Sequence, residues 1–545
     1  MAVIVPQEKS QLTDARIVKL RFTGNSLAEC MVLLLFTAIA GVTAWFHEPW
    51  ADEAQAWLIA RDLGIPGILQ QMGYEGSPPL WHLLLWVLTR LHLPYAGLGA
   101  VSLALVASGM YIWLHRSPLP TPVRFLVPFA FYYQYQYAVV ARSYALSTLL
   151  AFAAAALWKA KPVRVIPFAA VLALLAQTNM HGFTIAMGIA CAFAWECVRN
   201  VWKGCLSGTQ IFEIGAGGAL VLTSAVIARA LATPYPDCSF KAAVQLHKGM
   251  RLESITSVFE GLSGFSKAIG LNPSWALSLI LICAIWAIAA RKGAFLASAI
   301  ATFLLLAYPI STGKKSFGIV QGVVLVLLVL FWFVAVKRLA CALPFLLTAL
   351  AMGFVWSRPW HYGMALTAFL VSVWGAWPTD NSPKFESPKR ALAVSLAVLV
   401  ILQVPSTAQT IYDEIQGPYS GAKATAEFLA PYVGHRRIYC VNFYGAGVQP
   451  YFSKNIFVNW PDAYWTWSTR RASEASRILD EAPPNNAIVV VPAGGLSSPK
   501  PARSNAATAR LASRNFQKMK EFCGAQFWLG QVSEYECYDI YQKKR

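Results

Sequence analysis

Apolar runs of about twenty residues recur through most of this chain, and a run of that length crosses a bilayer as a helix. In hydrocarbon every backbone amide must find its partner within the segment, so the runs are read as helices. Candidate spans lie at 26–46, 96–115, 123–140, 143–160, 163–180, 183–199, 211–232, 272–290, 293–310, 318–336, 339–356, 361–378 and 390–408. Composition agrees: 57% of the 545 residues are hydrophobic and 13% charged, where a soluble domain carries about 25% charged residues. The sequence predicts a polytopic α-helical membrane protein with about 13 transmembrane helices.

Residues 78–93, PPLWHLLLWVLTRLHL, are apolar but short, and they include His82, Arg90 and His92. We read them as an amphipathic helix lying at the interface. Charge supports that choice. If 78–93 does not cross, the loops HRSPLPTPVR, KAKPVR, RNVWKG, ARKG, VKR and PKFESPKR all fall on the side of the basic N-terminus. The positive-inside rule makes that side cytoplasmic. The chain then divides into a cytoplasmic arm (1–25), a membrane domain (26–408) with a first external loop at 47–95, and an external C-terminal domain (409–545). The lead-in before the first apolar run is long for a signal peptide, so that run is expected to remain as the first helix. The net charge of +19 reads as topology and contact with anionic lipid. No basic helix, zinc-ligand spacing or RNA-binding signature accompanies it, so nucleic acid is not an expected partner.

The final stretch has a different texture. RRIYCV and NNAIVVVPAG look like buried strands, SGAKATAEFLAPY and STRRASEASRILDEA have helical periodicity, and AQFWLGQVSEYECYDIYQ alternates like a terminal hairpin. Together they predict a small α/β domain. Of the ten cysteines, those in apolar runs read as small buried hydrophobes. In an external domain, Cys440, Cys523 and Cys537 are expected to include a disulfide, with Cys523–Cys537 the first pairing considered.

The external turns hold the candidate chemistry. The stretch HEPWADEAQAWLIARD, His47 to Asp62, follows the first span directly. Its Asp52–Glu53 pair fits a general base, a metal ligand or a helix N-terminus. Glu75 and His82 in YEGSPPLWH, and His181 in NMHG, are candidates to line the same cavity. Arg142 in ARSY, Lys314 and Lys315 in STGKKS, and Arg358 in SRPWHY run against the topological grain, since external loops are usually poor in cations, and Tyr144 and His361 stand beside them as candidate binding residues. They read either as headgroup contacts or as a clamp for a phosphate. A Walker loop, a dinucleotide fingerprint, HExxH and GxSxG are all absent from the sequence.

With Asp52–Glu53, SPPLW, ARSY and RPWHYG on one face, the chain resembles the GT-C superfamily of integral membrane glycosyltransferases. It is most similar to bacterial lipid-A aminoarabinose transferases and protein O-mannosyltransferase-like enzymes. The motif likeness covers roughly residues 26–200. The resemblance implies a bacterial inner-membrane enzyme that moves a sugar from a polyprenyl phosphate to a lipid, glycan or protein acceptor outside the cytoplasm. It implies Asp52 as the base that activates the acceptor and Glu53 as its assistant or a metal ligand, with a divalent metal left open. It assigns Arg142, Lys314, Lys315 and Arg358 to the lipid phosphate. VVARSY lacks the acidic residue that the family often has in its second external turn. A lipid-carrier flippase, or a scaffold that displays the C-terminal domain, is the alternative.

Overall fold

The computed structural model describes residues 24–160, 162–240, 329–354, 359–379, 382–480, 486–495 and 511–543. The expected spans 272–290 and 293–310, and the first part of 318–336, lie outside the described residues, as does nearly all of the 1–25 arm.

Five described helices are long and apolar enough to cross a membrane: Ser26–Phe46, Tyr95–Arg116, Met180–Trp202, Gly208–Leu231 and Pro383–Gln416. Four shorter apolar helices, Ser143–Lys159, Val165–Ala176, Leu339–Met352 and Tyr362–Ala376, pack among them. In chain order the helices used below are α1 (Gly24–Phe46), α2 (Ala51–Asp62), α3 (Ile65–Glu75), α4 (Leu80–Arg90), α5 (Leu98–Arg116), α6 (Thr121–Leu126), α7 (Ser143–Lys159), α8 (Val165–Ala176), α9 (Met180–Trp202) and α10 (Gly208–Leu231). They continue as α11 (Leu343–Phe354), α12 (Tyr362–Ala376), α13 (Pro383–Gln416), α14 (Ala422–Leu429) and α15 (Thr469–Asp480).

The expected span 123–140 is corrected. It is not one helix but the short α6, a 3-10 turn at Val127–Phe129 and a π-helical segment at Tyr132–Tyr137. Pro128 removes a backbone donor and breaks the ladder. The six residues YYQYQY that follow are all buried. The segment nevertheless runs the length of α1. Arg124 bonds Glu29 in the early part of α1 at 2.6 Å, while Ala141 meets Glu53 just beyond its far end. Gly363 in the first turn of α12 lets that helix lie directly against Tyr132 and Tyr137, where any Cβ would strike their side chains.

The bundle has two distinct ends. At one lie His47, Asp52, Arg142, Tyr144, His181, His361 and Glu414, joined by the contacts described below. At the other, Glu29 meets Arg124 and His115, Lys159 donates to the Trp377 carbonyl, and Arg338 pairs with Glu196. These are the two sets of turns that the charge pattern separates.

The first loop, 47–95, folds into α2, α3 and α4. Helix α1 stops at Phe46, three residues before Pro49, which disfavours the helical conformation in the residue that precedes it and so keeps the helix from running on. Helix α4 has 11 residues with Trp81, His82 and Leu85 buried. It is about 16 Å long, far short of a hydrocarbon core of about 30 Å. Helix α2 is buried along nine of its 12 residues. One side meets the bundle end and another meets Phe443, Ala446 and Ala463 of the C-terminal domain.

That domain is a small sheet with helices. Its strands are β1 (Ile438–Cys440), β2 (Ile488–Gly495), β3 (Phe516–Trp528) and β4 (Gln531–Lys543), in the order β1-β2-β4-β3. The pair β1–β2 is parallel, and the other two pairs are antiparallel. The last long helix runs on to Gln416, so the domain begins a few residues later than expected. The β3–β4 hairpin turns through Leu529 and Gly530, both at positive φ, as a two-residue turn that matches strand twist requires. This turn docks on the bundle: Gly530 N donates to Thr410 Oγ1 at 2.8 Å, and Trp528 Nε1 to the Tyr132 hydroxyl at 3.2 Å. Cys523 and Cys537 face each other across β3 and β4 and are disulfide-bonded, while Cys440 is buried and free.

Candidate active site

Asp52 and Glu53 occupy the first turn of α2, where the helix dipole favours carboxylates. Their environments differ sharply. Asp52 Oδ2 lies 3.0 Å from Arg142 Nη2, with both side chains about a quarter exposed (25% and 22%). Glu53 is 1% exposed and fully engaged. Its Oε1 accepts from the Ala141 amide at 2.6 Å, and its Oε2 accepts from the Trp50 amide at 3.2 Å and faces His47 Nε2 at 2.9 Å. Glu53 thus reaches back to the residue that starts its own helix, as one arm of a capping box does, and also holds the turn that carries Arg142.

The expectation that Glu53 assists the base or holds a metal finds no free oxygen to support it. With Asp52 paired to a guanidinium, the acidic pair does not form a metal seat. Among the described residues, one trio of metal-ligating side-chain types converges, Glu521, Cys523 and Cys537, and its two sulfurs are joined to each other.

His47 is buried between two carboxylates. Its Nδ1 lies 2.9 Å from Glu414 Oε1, and the Tyr135 hydroxyl donates to Glu414 Oε2 at 2.6 Å. Burial alone would push this imidazole down, but the Glu53 and Glu414 charges outweigh it and raise its pKa to about 10. The chain Glu53–His47–Glu414–Tyr135 therefore ties the end of α1, the start of α2, the end of α13 and the π-helical segment together.

Arg142 sits in an aromatic box. Its guanidinium lies over the rings of Trp50, Tyr144 and Trp360 at 5.8, 5.3 and 5.4 Å. Nη2 holds Asp52, while the buried Nη1 makes no hydrogen bond among the described residues. Beyond Tyr144, the His181 and His361 rings lie 4.8 Å apart, and Tyr144 touches both, at 6.2 and 5.9 Å. Arg142, Asn179 and His361 stand at the N-cap positions of α7, α9 and α12, and of the three the Asn179 side chain accepts a capping bond, from the Gly182 amide. Asn179 Nδ2 donates to Ser143 and Ser147 of α7, so two of the three helix starts are bonded together. The starts of α7 and α9 beside the Arg142 guanidinium give this end a positive character that suits an anion such as phosphate.

Glu75, at the end of α3, accepts from Gln55 Nε2 at 2.9 Å and Gln71 Nε2 at 3.2 Å. Burial lifts its pKa to about 7 against those two amides, and the Asp52 charge adds to the rise. Both glutamines also bond the Trp465 carbonyl of the C-terminal domain. His82 is buried on α4, and burial pushes it down to about 4. No described contact joins it to Asp52. Lys314, Lys315 and Arg358 lie outside the described residues.

The structure thus gathers Asp52, Glu75, Arg142, Tyr144, His181 and His361 at one bundle end. Sequence reading did not select His47, Glu414, Gln55 or Glu536 for this region. His47 opens the very stretch that drew attention to Asp52. Glu414 and Glu536 stand in segments with no local signal of a site. Compared with protein-family models, curated proteins and solved structures, the chain finds no match among any of the three.

Proposed function

We propose that this chain is a membrane glycosyltransferase of the GT-C type that moves a sugar from a polyprenyl-phosphate donor to a hydroxyl of an acceptor outside the cytoplasm. The supporting observation is the Asp52–Arg142 pair at 3.0 Å, set beside the starts of α7 and α9. A base and an anion receptor side by side at a membrane boundary suit transfer from a lipid-linked phosphate to a hydroxyl.

In this reading the donor lipid stays in the bilayer and its phosphate enters the receptor. Arg142 offers Nη1 to a phosphate oxygen, with the helix ends adding positive potential. Lys314, Lys315 and Arg358 are further phosphate contacts in the proposal. The acceptor hydroxyl attacks the anomeric carbon from the face opposite the phosphate, and Asp52 takes its proton. The bond between the anomeric carbon and the phosphate oxygen breaks, and its electron pair leaves with the polyprenyl phosphate, whose growing charge Arg142 stabilises. The product has inverted configuration. Glu53 holds the scaffold of both reacting groups and takes no proton.

The proposal includes the topology: about 13 crossings, a cytoplasmic N-terminus and a C-terminal domain outside a bacterial plasma membrane. A reporter fused after Arg545 should read external, and a cytoplasmic reading would remove the loop assignment. The decisive experiment is turnover by purified protein with a polyprenyl-phosphate sugar and an acceptor extract, alongside mass spectrometry of envelope glycans with and without the protein. Absence of transfer and unchanged glycans would return the flippase and scaffold readings.

A further inference from the structure

Glu536 lies in the C-terminal domain, on β4, yet it is buried (1% exposed) against the first turn of α2. The Tyr538 hydroxyl lies between its Oε1 and the Tyr444 carbonyl, with one proton to share between them. Its Oε2 is buried and makes no hydrogen bond among the described residues, and no described cation pairs with the group. The titratable groups around it are Asp52 from α2, Tyr95 at the start of α5, Tyr419 before α14, Tyr451 on the loop after β1 and Tyr538 on its own strand. None of them supplies positive charge. Burial lifts the Glu536 pKa to about 8; the Tyr538 and Ser420 hydroxyls and the Ala51 amide temper the rise, and the Asp52 charge adds to it.

A carboxyl oxygen in such a place keeps its proton, because ionising it would bury a second negative charge beside Asp52. With the proton on Oε2, that O–H meets no acceptor among the described residues. It is not alone. The Tyr95 hydroxyl, the Trp50 indole N–H and Arg142 Nη1 are also buried without hydrogen-bond partners among the described residues. Trp50 immediately precedes α2 and touches Arg142, and Tyr95 is within electrostatic reach of both Glu53 and Glu536. Buried polar atoms are satisfied in the great majority of cases. Four of them beside α2, three from the bundle and one from the sheet domain, suit a ligand rich in hydroxyls.

We propose that Glu536 works as a neutral carboxylic acid that donates a hydrogen bond from Oε2 to an oxygen of a hydroxyl-rich acceptor, so that the C-terminal domain completes the surroundings of Asp52. This rests on the transferase reading. Glu536 is a residue of acceptor recognition, and the membrane bundle without the sheet domain lacks one wall of the site.

The test uses the full-length protein in lipid nanodiscs. Infrared difference spectra of wild type against Glu536→Gln should show a protonated-carboxyl band at pH 7 that is lost as pH rises through about 8. In the transfer assay Glu536→Gln, whose amide still donates, should stay within about threefold of wild type and lose the alkaline fall in kcat/KM. Glu536→Ala should raise KM for the acceptor about tenfold and leave KM for the donor unchanged. Thermal melting of both variants guards against misfolding. Gln as impaired as Ala, or donor and acceptor KM rising together, overturns the proposal. A wild type that transfers no sugar sinks the transferase reading and this role with it, whereas an active wild type with no such band sinks this role alone.

Discussion

His47 Nδ1 lies 2.9 Å from Glu414 Oε1, which joins the residue after the first long helix to the last turn of the final one. The other imidazole nitrogen holds Glu53. Removing the imidazole leaves two buried carboxylates facing one another. His47→Ala should therefore cost on the order of 3–5 kcal/mol of stability, as for other broken buried pairs, read by thermal unfolding in nanodiscs. The sign with pH is fixed: the folded-state pKa is raised from 6.5 to about 10. The stabilisation is full below about pH 6.5 and is lost as pH rises through about 10. A variant melting curve that falls with alkaline pH as steeply as wild type would refute the imidazolium assignment.

Asp52 and Glu53 should respond differently to amide substitution. Asp52→Asn keeps size and loses basicity, so turnover should drop by about 10²–10⁴ with melting temperature nearly unchanged. Glu53→Gln should act mainly on stability, since it removes the counter-charge of His47 and weakens the acceptor for two backbone amides. Paired turnover and melting measurements separate the two. Equal loss of turnover at matched stability would mean that both carboxylates touch substrate.

Arg142→Lys should not rescue what Arg142→Ala loses. A lysine cannot hold Asp52 through one nitrogen and offer a second donor from the same planar group within the box of Trp50, Tyr144 and Trp360. Both variants should weaken binding of polyprenyl phosphate by roughly tenfold or more. Titration calorimetry with the lipid phosphate checks this, and wild-type affinity in Arg142→Ala would reject the anion receptor.

The Cys523–Cys537 bond spans 14 residues across neighbouring strands. A loop of that size stabilises by roughly 3 kcal/mol when closed. Reductant, or a Cys523→Ser and Cys537→Ser double variant, should lower the melting of the sheet domain and leave the bundle helices intact by circular dichroism. Thiol labelling of the unfolded, non-reduced protein should find both cysteines blocked and Cys440 open.

Much of the fold was legible because its signals are local. Strands β1 and β2, helices α14 and α15 and the β3–β4 hairpin fall where alternation and helical periodicity put them. The span at 123–140 misled because length and apolarity do not report the break that Pro128 introduces, nor the packing of Tyr132 and Tyr137 against the first turn of α12. Of the site, Asp52, Arg142, Tyr144, His181 and His361 were visible as polar residues at turns that topology places on one side.

The sequence by itself determined that the chain is built of membrane-length helices with a small sheet domain after them, because hydrophobic length and periodicity are properties of neighbouring residues. Only the tertiary structure decided how each member of the acidic pair is held, Asp52 in a partly exposed pair with Arg142 and Glu53 in the buried contacts of His47. Asp52 and Glu53 are adjacent, but side chains one apart on a helix diverge by about 100°, so one meets Arg142 and the other His47. Glu414 stands 367 residues from His47 along the chain. Charges that far apart in sequence become partners only when packing excludes water from between them, and no local pattern records that event.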